Sequence, residues 1–243
     1  MTKYGSDQCS FFLVAGLDVV GTLTEFEDRR EARTEETHTL GDAWAEHSFV
    51  GVREGEITQS GFYDDDAGSV HDVLSSGPGA TNVLSYCLEG TATGKNFVGW
   101  AGGVQVNYHR IAERDALTKA KASYKGNGPI EQGKTLFPYK AVGSTGRKNT
   151  VDNLVSSTGG AGYLQYNASA GECNVRILHS SNDVAFADLI VFTKPASGHA
   201  GERITTTGSI KRYTAVDFTT ASATGTIAAL NAFVGLVRTS SAP

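Results

Sequence analysis

Gly128, Gly133, Lys134 and Thr135 fit the phosphate-loop pattern, in which backbone N–H groups cradle phosphates, a lysine reaches them and a hydroxyl holds magnesium. That chemistry needs a strand before the loop and a helix after it, so that helical N–H groups point at the anion. Pro138 follows three residues after Thr135, and Leu136 to Lys140 shows no helical continuation. The stretch reads as a hairpin turn. Asp64, Asp66 and Asp72 have the odd spacing of a calcium loop, but the sixth and twelfth places hold Ser69 and Ser75 instead of glycine and glutamate. The acids read better as the start of a short helix, with Asp or Ser capping Val70 to Leu74 and Ser75-Ser76-Gly77-Pro78-Gly79 ending it.

The remaining reactive residues are scattered. Cys9, Cys87 and Cys173 are odd in number and far apart, which suits neither a disulfide framework nor a four-cysteine zinc site. His38, His47, His71, His109, His179 and His199 include no closely spaced pair of metal ligands, and there is no Gly-x-Ser-x-Gly elbow. Asn167-Ala168-Ser169 is a glycosylation acceptor only in a secreted protein. No catalytic residue, cofactor site or metal site is assigned, and the expectation is a protein that is not an enzyme.

The elements that would position any site are strands. The longest are Asn96 to Ala112 and Leu117 to Ile130, two alternating runs separated by Glu113-Arg114-Asp115 and closed by a turn at Gly126-Asn127-Gly128-Pro129. They hold Trp100, one of two tryptophans, expected in a core. Before them, Cys9 to Val20 reads as a strand with a turn or kink at Gly16. Arg53 to Tyr63 reads as another, with Ile57 on one face and Thr58 and Phe62 on the other, and Val83 to Leu88 as a third. Thr22 to Thr39 mixes acids and bases, as a solvated face does, or a contact between identical subunits. Thr39 to His47 can form a helical turn or ordered loop with Asp42 as cap, and Trp44 there would plug a core or an interface.

Tyr139 to Ser157 is polar and glycine-bearing, the candidate linker. Beyond it six short runs are separated by turn residues: 161–166, 173–179, 187–192, 202–206, 211–218 and 229–237. The expected organisation is mainly β: residues 1–140 as a first β domain, 141–157 as linker, and 158–243 as a smaller C-terminal β-sandwich of jelly-roll or Ig-like type.

Composition agrees. The chain has 243 residues, 40% hydrophobic and 19% charged, with 29 glycines and 5 prolines, which is globular and β-rich. A net charge of -5 gives no general basic surface for nucleic acid. The apolar run Phe11 to Ala15 is too short to span a bilayer, and with only Lys3 before it makes a poor signal peptide, so a soluble protein made in a reducing cytoplasm is expected, with no membrane partner.

Residues from Leu23 to Ile130 resemble the major tail tube protein of long-tailed, λ-like bacteriophages. The likeness rests on the first strand and charged segment, the strand Glu54 to Tyr63, the short helix around Val70 to Leu74, the strand Val83 to Leu88, and Phe97-Val98-Gly99-Trp100 leading into paired strands that end at Gly126 to Gly133. The resemblance implies a tail-tube-type β-sandwich or barrel with one flanking helix, joined edge to edge with copies of itself. Six copies would form each ring, or three if both domains took part, and rings would stack into a hollow tube in the virion. Double-stranded DNA would pass an acidic lumen without specific binding, other tail proteins would be partners, and a long loop from Glu25 to Arg53, ordering only on assembly, would reach the next ring. The C-terminal domain would decorate the exterior. The alternative from another class is a carbohydrate-binding or adhesion module working through Tyr163, Tyr166 and Tyr213; a hydrolase ranks last for want of any constellation.

Overall fold

The computed structural model describes residues 10–37, 44, 47–64, 66, 70–87, 89–90, 92–112, 114, 116–168, 173–193, 197–220 and 230–239. Along them run β1 (Phe11–Val14), β2 (Leu17–Asp18), β3 (Leu23–Glu36), β4 (His47–Phe62), the helix α1 (Val70–Ser75), β5 (Thr81–Cys87), β6 (Asn96–Ile111), β7 (Lys119–Gly126), β8 (Ile130–Ala141), β9 (Gly146–Arg147), β10 (Val151–Asp152), β11 (Gly160–Ala168), β12 (Cys173–Ser180), β13 (Ala187–Val191), β14 (Gly198–Thr206), β15 (Tyr213–Thr220) and β16 (Leu230–Arg238). The protein is mainly β, with one short helix among the described residues. Each of the six runs expected after residue 158 holds a strand among the described residues, β11 to β16.

The chain divides into two compact units, one made of Met1–Gly21, Asn82–Gly102 and Pro129–Pro243, the other of Thr22–Thr81 and Gly103–Gly128. This is not the division at 140 and 158 expected from the sequence. β16 pairs with β8, for example Val234 opposite Phe137, and β11 pairs along its whole length with β16. Val142 and Val151, in the expected linker, belong to the same buried cluster as Leu164, Ile177 and Leu236. Their isolation among polar neighbours hides their burial, and pairing between strands some ninety residues apart leaves no local signature.

In the first unit, strands run in the order β14-β11-β16-β8-β6-β5-β1-β2, and a second sheet runs β10-β15-β12-β13 with β9 beside β15. Leu230, Ala232, Val234 and Leu236 of β16 join the cluster shared with Val175, Ile177, Val216 and Phe218 of the second sheet. Phe233 and Val237 point the other way, into a cluster with Phe11, Leu13, Cys87, Phe97, Ala161 and Tyr163. A strand buried on both faces reads as a nearly unbroken apolar run, as Leu230 to Val237 does. Ring centroids of 4.8 Å for Phe11 and Phe233 and 5.2 Å for Phe97 and Phe233 fill this second cluster. The turn after β1 folds back on β11: Gly16 has φ 87°, and a Cβ there would stand 1.9 Å from the Tyr166 carbonyl oxygen, so only glycine fits. The Gly16 N–H donates to Gln165 Oε1 at 2.7 Å, while Gln165 Nε2 donates to the Val83 carbonyl at 2.9 Å. Gln165 thereby satisfies backbone groups of the β1–β2 turn and of β5, and Trp100 is fully buried.

The second unit is a sheet in the order β3-β4-β7 and the later half of β6, with α1 against one face. Every neighbouring pair is antiparallel. On the helix side Ile57, Gln59, Ala122, Tyr124 and Gln105 are buried, and Gln105 Nε2 donates to the Leu74 carbonyl at 2.7 Å, tying helix to sheet. Residues 25–36 of the expected Glu25 to Arg53 loop are instead strand, paired with β4 from Glu36 opposite His47 to Glu25 opposite Ser60. Nothing apolar repeats along β3 because little of it is buried, so the period that reveals other strands is missing.

Candidate assembly surface

The face of this second sheet away from α1 is polar and uncovered within its unit. Cross-strand register puts Glu25, Ser60, Lys121 and His109 in one row, Glu27, Thr58, Ser123 and Asn107 in the next, and Arg29, Glu56 and Lys125 in a third. The alternation Lys119, Lys121, Ser123, Lys125 against Ala120, Ala122, Tyr124 on β7 follows from the two-residue period of a strand. The carboxylates of this face therefore stand on β3 and β4, with Arg29 of β3 among them, and its lysines stand on β7.

The strand edges are open. Among the described residues β3 pairs only with β4, and no strand pairs with the outer edge of β6 beyond Gln105. Pairing of β4 with β7 starts at Glu56, so among the described residues only β3 pairs with residues 47–55 of β4, in a two-stranded ribbon with residues 30–36. Every β3 residue from Arg29 to Glu36 is exposed, on both faces of that strand. Its charges neutralise one another locally: Arg30 Nη2 meets Asp28 Oδ2 at 2.7 Å, and Arg29 pairs with Glu31. At the opposite end of the sheet Phe62, Ile111, Ala116, Leu117 and Lys119 line a cleft, with Leu117 71% exposed.

The residues singled out in the sequence are not brought together. Gly133, Lys134 and Thr135 lie inside β8, between Phe97 of β6 and the residues Gly235, Leu236 and Val237 of β16. Their position is a ladder, not a loop, and Thr135 is buried, so no phosphate cradle exists there. Only Gly126 to Pro129 forms the expected turn. Asp64 makes a local turn in which Oδ1 accepts from the Asp66 N–H at 3.0 Å, and its carbonyl accepts from the His71 N–H at 3.1 Å as α1 begins. Ser69, the other candidate cap, lies outside the described residues, as do His38, Asp42, Cys9 and Ser169. Among the described residues no three His, Cys, Asp or Glu side chains come together as metal ligands. Cys87 and Cys173 are buried free thiols, and burial raises both, Cys173 to about 11. His71 Nδ1 sits 2.7 Å from the Tyr108 hydroxyl beside Tyr63, an aromatic group that braces α1.

The three tyrosines of the adhesion reading do not share a surface. Tyr163 is wholly buried, Tyr166 packs on the core from the opposite face of the same strand, and Tyr213 lies in the other sheet beside Arg212. Trp44 is 85% exposed.

Sequence reading missed a linked polar group in the first unit. Arg203 donates to both oxygens of Glu131 at 2.8 Å, and the Tyr163 hydroxyl donates to Glu131 Oε2 at 2.5 Å. Burial first, then the Glu131 contacts, holds the Tyr163 hydroxyl far above its ordinary range, and the hydrogen bond to Glu131 raises Arg203. The Arg203 guanidinium and the Glu131 carboxylate offset one another, with the Tyr163 hydroxyl held between them. This is a structural clamp between β8, β11 and β14, which pairing across 32 and 72 positions conceals in the sequence.

No helix among the described residues is long and apolar enough to cross a membrane. Comparison with protein families and with curated proteins gives no match. Among solved structures, a chain from the tail of an empty gene transfer agent particle, refined with helical C6 symmetry, is similar at 13% identity over 53% of this chain and 97% of that one, with TM-score 0.42. A chain from the virion of a native gene transfer agent particle gives 12% identity over 53% and 97%, again with TM-score 0.42. The SPP1 Dit protein, a hub of the adsorption apparatus in phages infecting Gram-positive hosts, gives 13% identity over 95% and 99%, with TM-score 0.33. At these values the likeness does not assign the chain to any of them.

Proposed function

We propose that this chain is a structural subunit of a bacteriophage tail, a tube protein that joins copies of itself into rings and stacks the rings around a channel for double-stranded DNA. The observation that carries the reading is the sheet β3-β4-β7-β6, covered on one face by α1, polar on the other, and with no further strand beside either outer edge among the described residues. An unpaired edge of this length is a template for another strand, and closure into a ring removes it. The alternation of direction fits: β3 of a second copy laid beside β6 continues the antiparallel ladder without a break. Such a contact is head-to-tail, and repeated by rotation it closes.

With α1 outside, the open face lines the channel. Its carboxylates on β3 and β4 stand beside the lysines of β7, so the phosphate backbone meets no continuous cationic track and slides without being held. The channel wall in this reading is of mixed charge instead of uniformly acidic. Six copies per ring, assembly with other tail proteins, synthesis in the host cytoplasm and residence in the virion belong to the same proposal. Negative-stain microscopy of the purified protein tests it: hollow rings or tubes are expected, and a chain that stays monomeric at high concentration overturns it.

A further inference from the structure

The protein has an exposed tryptophan at one end of its second sheet and an exposed apolar cleft at the other. Trp44 lies in the connection between β3 and β4, at the far end of the two-stranded ribbon, and is 85% exposed. The cleft is built where β4 ends and β7 begins: Phe62 lies opposite Lys119, and Ile111 is opposite Lys119 on the other side. Phe62 is 41%, Ile111 42% and Leu117 71% exposed.

We infer that Trp44 of one copy seats in the Phe62–Ile111–Leu117 cleft of the next, an axial contact that rests on the tube reading and adds to it the residues that hold one ring on another. The occupant is a second copy because one copy cannot satisfy itself. β4 runs from His47 to Phe62 between tip and cleft, and at about 3.3 Å per residue that strand keeps them roughly 50 Å apart. Charge agrees with the choice. Glu35 and Glu36 are the last residues of β3 before the connection, and both are exposed; Lys119 borders the cleft, with Lys121 next on the same face. An indole brought there meets apolar side chains and an ammonium group together, a favourable surrounding for its ring. A knob at one end and a socket at the other end of the same sheet make a heterologous contact that does not close on itself, so it propagates along an axis. The mixed charges of the ribbon then set its register between neighbours.

Tryptophan fluorescence tests this, since Trp100 is buried and Trp44 is the other tryptophan of the chain. In dilute single subunits Trp44 emission is expected at long wavelength and open to acrylamide. On assembly it should shift to shorter wavelength and become protected. Trp44→Ala should remove that signal and yield single rings or short stacks. Leu117→Ser, with Trp44 intact, should shorten the stacks and leave Trp44 quenchable. Stacked wild-type protein in which Trp44 stays fully quenchable overturns the contact, as does protection unchanged by Leu117→Ser. Wild-type protein that forms no rings overturns the assembly reading itself, and microscopy of the same samples separates the two failures.

Discussion

The two units of this chain are held together by different means. Among the described residues the first has two apolar clusters, with Trp100, Tyr163 and five phenylalanines among its fully buried side chains. The second has one thin core in which Ile57 and Leu74 share space with Gln59, Gln105 and Tyr124, beneath a six-residue helix. A core of the first kind supports itself. A sheet with one lightly covered face, no further strand beside either edge among the described residues and a two-stranded ribbon gains most from neighbours, because such a ribbon alone is marginal in water.

The largest expected effect tests the integrity of the first unit. Truncation after Ser157 removes β11 and β16, whose residues sit in both apolar clusters. The product should lack a cooperative thermal transition by circular dichroism; a folded product would show that the first 157 residues are a domain of their own. Next come matched core deletions. Trp100→Ala should cost about 3 to 5 kcal/mol in denaturant unfolding, whereas Leu74→Ala, on the buried side of the short helix α1, should cost about 2 kcal/mol. Equal losses would erase the contrast between the units.

Gln59 sharpens the contrast from the other side. It is 1% exposed, and neither its Nε2 nor its Oε1 finds a hydrogen-bond partner among the described residues. Gln59→Leu keeps the volume and removes two unsatisfied groups, so a gain of about 1 kcal/mol is expected in urea unfolding. A loss would mean that the amide is satisfied in solution. The smallest effect belongs to the ribbon: Arg30→Ala removes a surface ion pair and should change stability by less than about 0.5 kcal/mol, read as an unchanged midpoint.

Resemblance to a tail tube protein and the mainly β reading both arose from the sequence, since local patterns carry strands. The turn at Gly16, the runs after residue 158 and the turn at Gly126 to Pro129 were legible because side chains alternate wherever one face is buried and glycine marks positive φ. The helix at Val70 to Ser75 was legible from the acids before it and the Gly-Pro-Gly after it. The burial of Trp100 followed from its setting between glycines and strand residues. The hairpin from Leu23 to Phe62 was legible only in its second half, because the first strand buries too little to show a period.

What the sequence left undecided depends on partners distant in the chain. Which strands share a sheet, that Val142 and Val151 belong to a core and not to a linker, and that Glu131, Tyr163 and Arg203 meet are all consequences of long-range pairing. So are the two open edges and the separation of Trp44 from the Phe62 cleft. Periodicity reports whether a residue faces a core; it does not report whose core, nor which edge is left without a strand. The sequence by itself determined those strands that bury one face, through the alternation that burial imposes, and missed β3, which buries too little to show it. The tertiary structure decided the units, the edges and the candidate surface, because hydrogen-bond pairing between strands is indifferent to side-chain identity and is fixed only when the whole chain has packed.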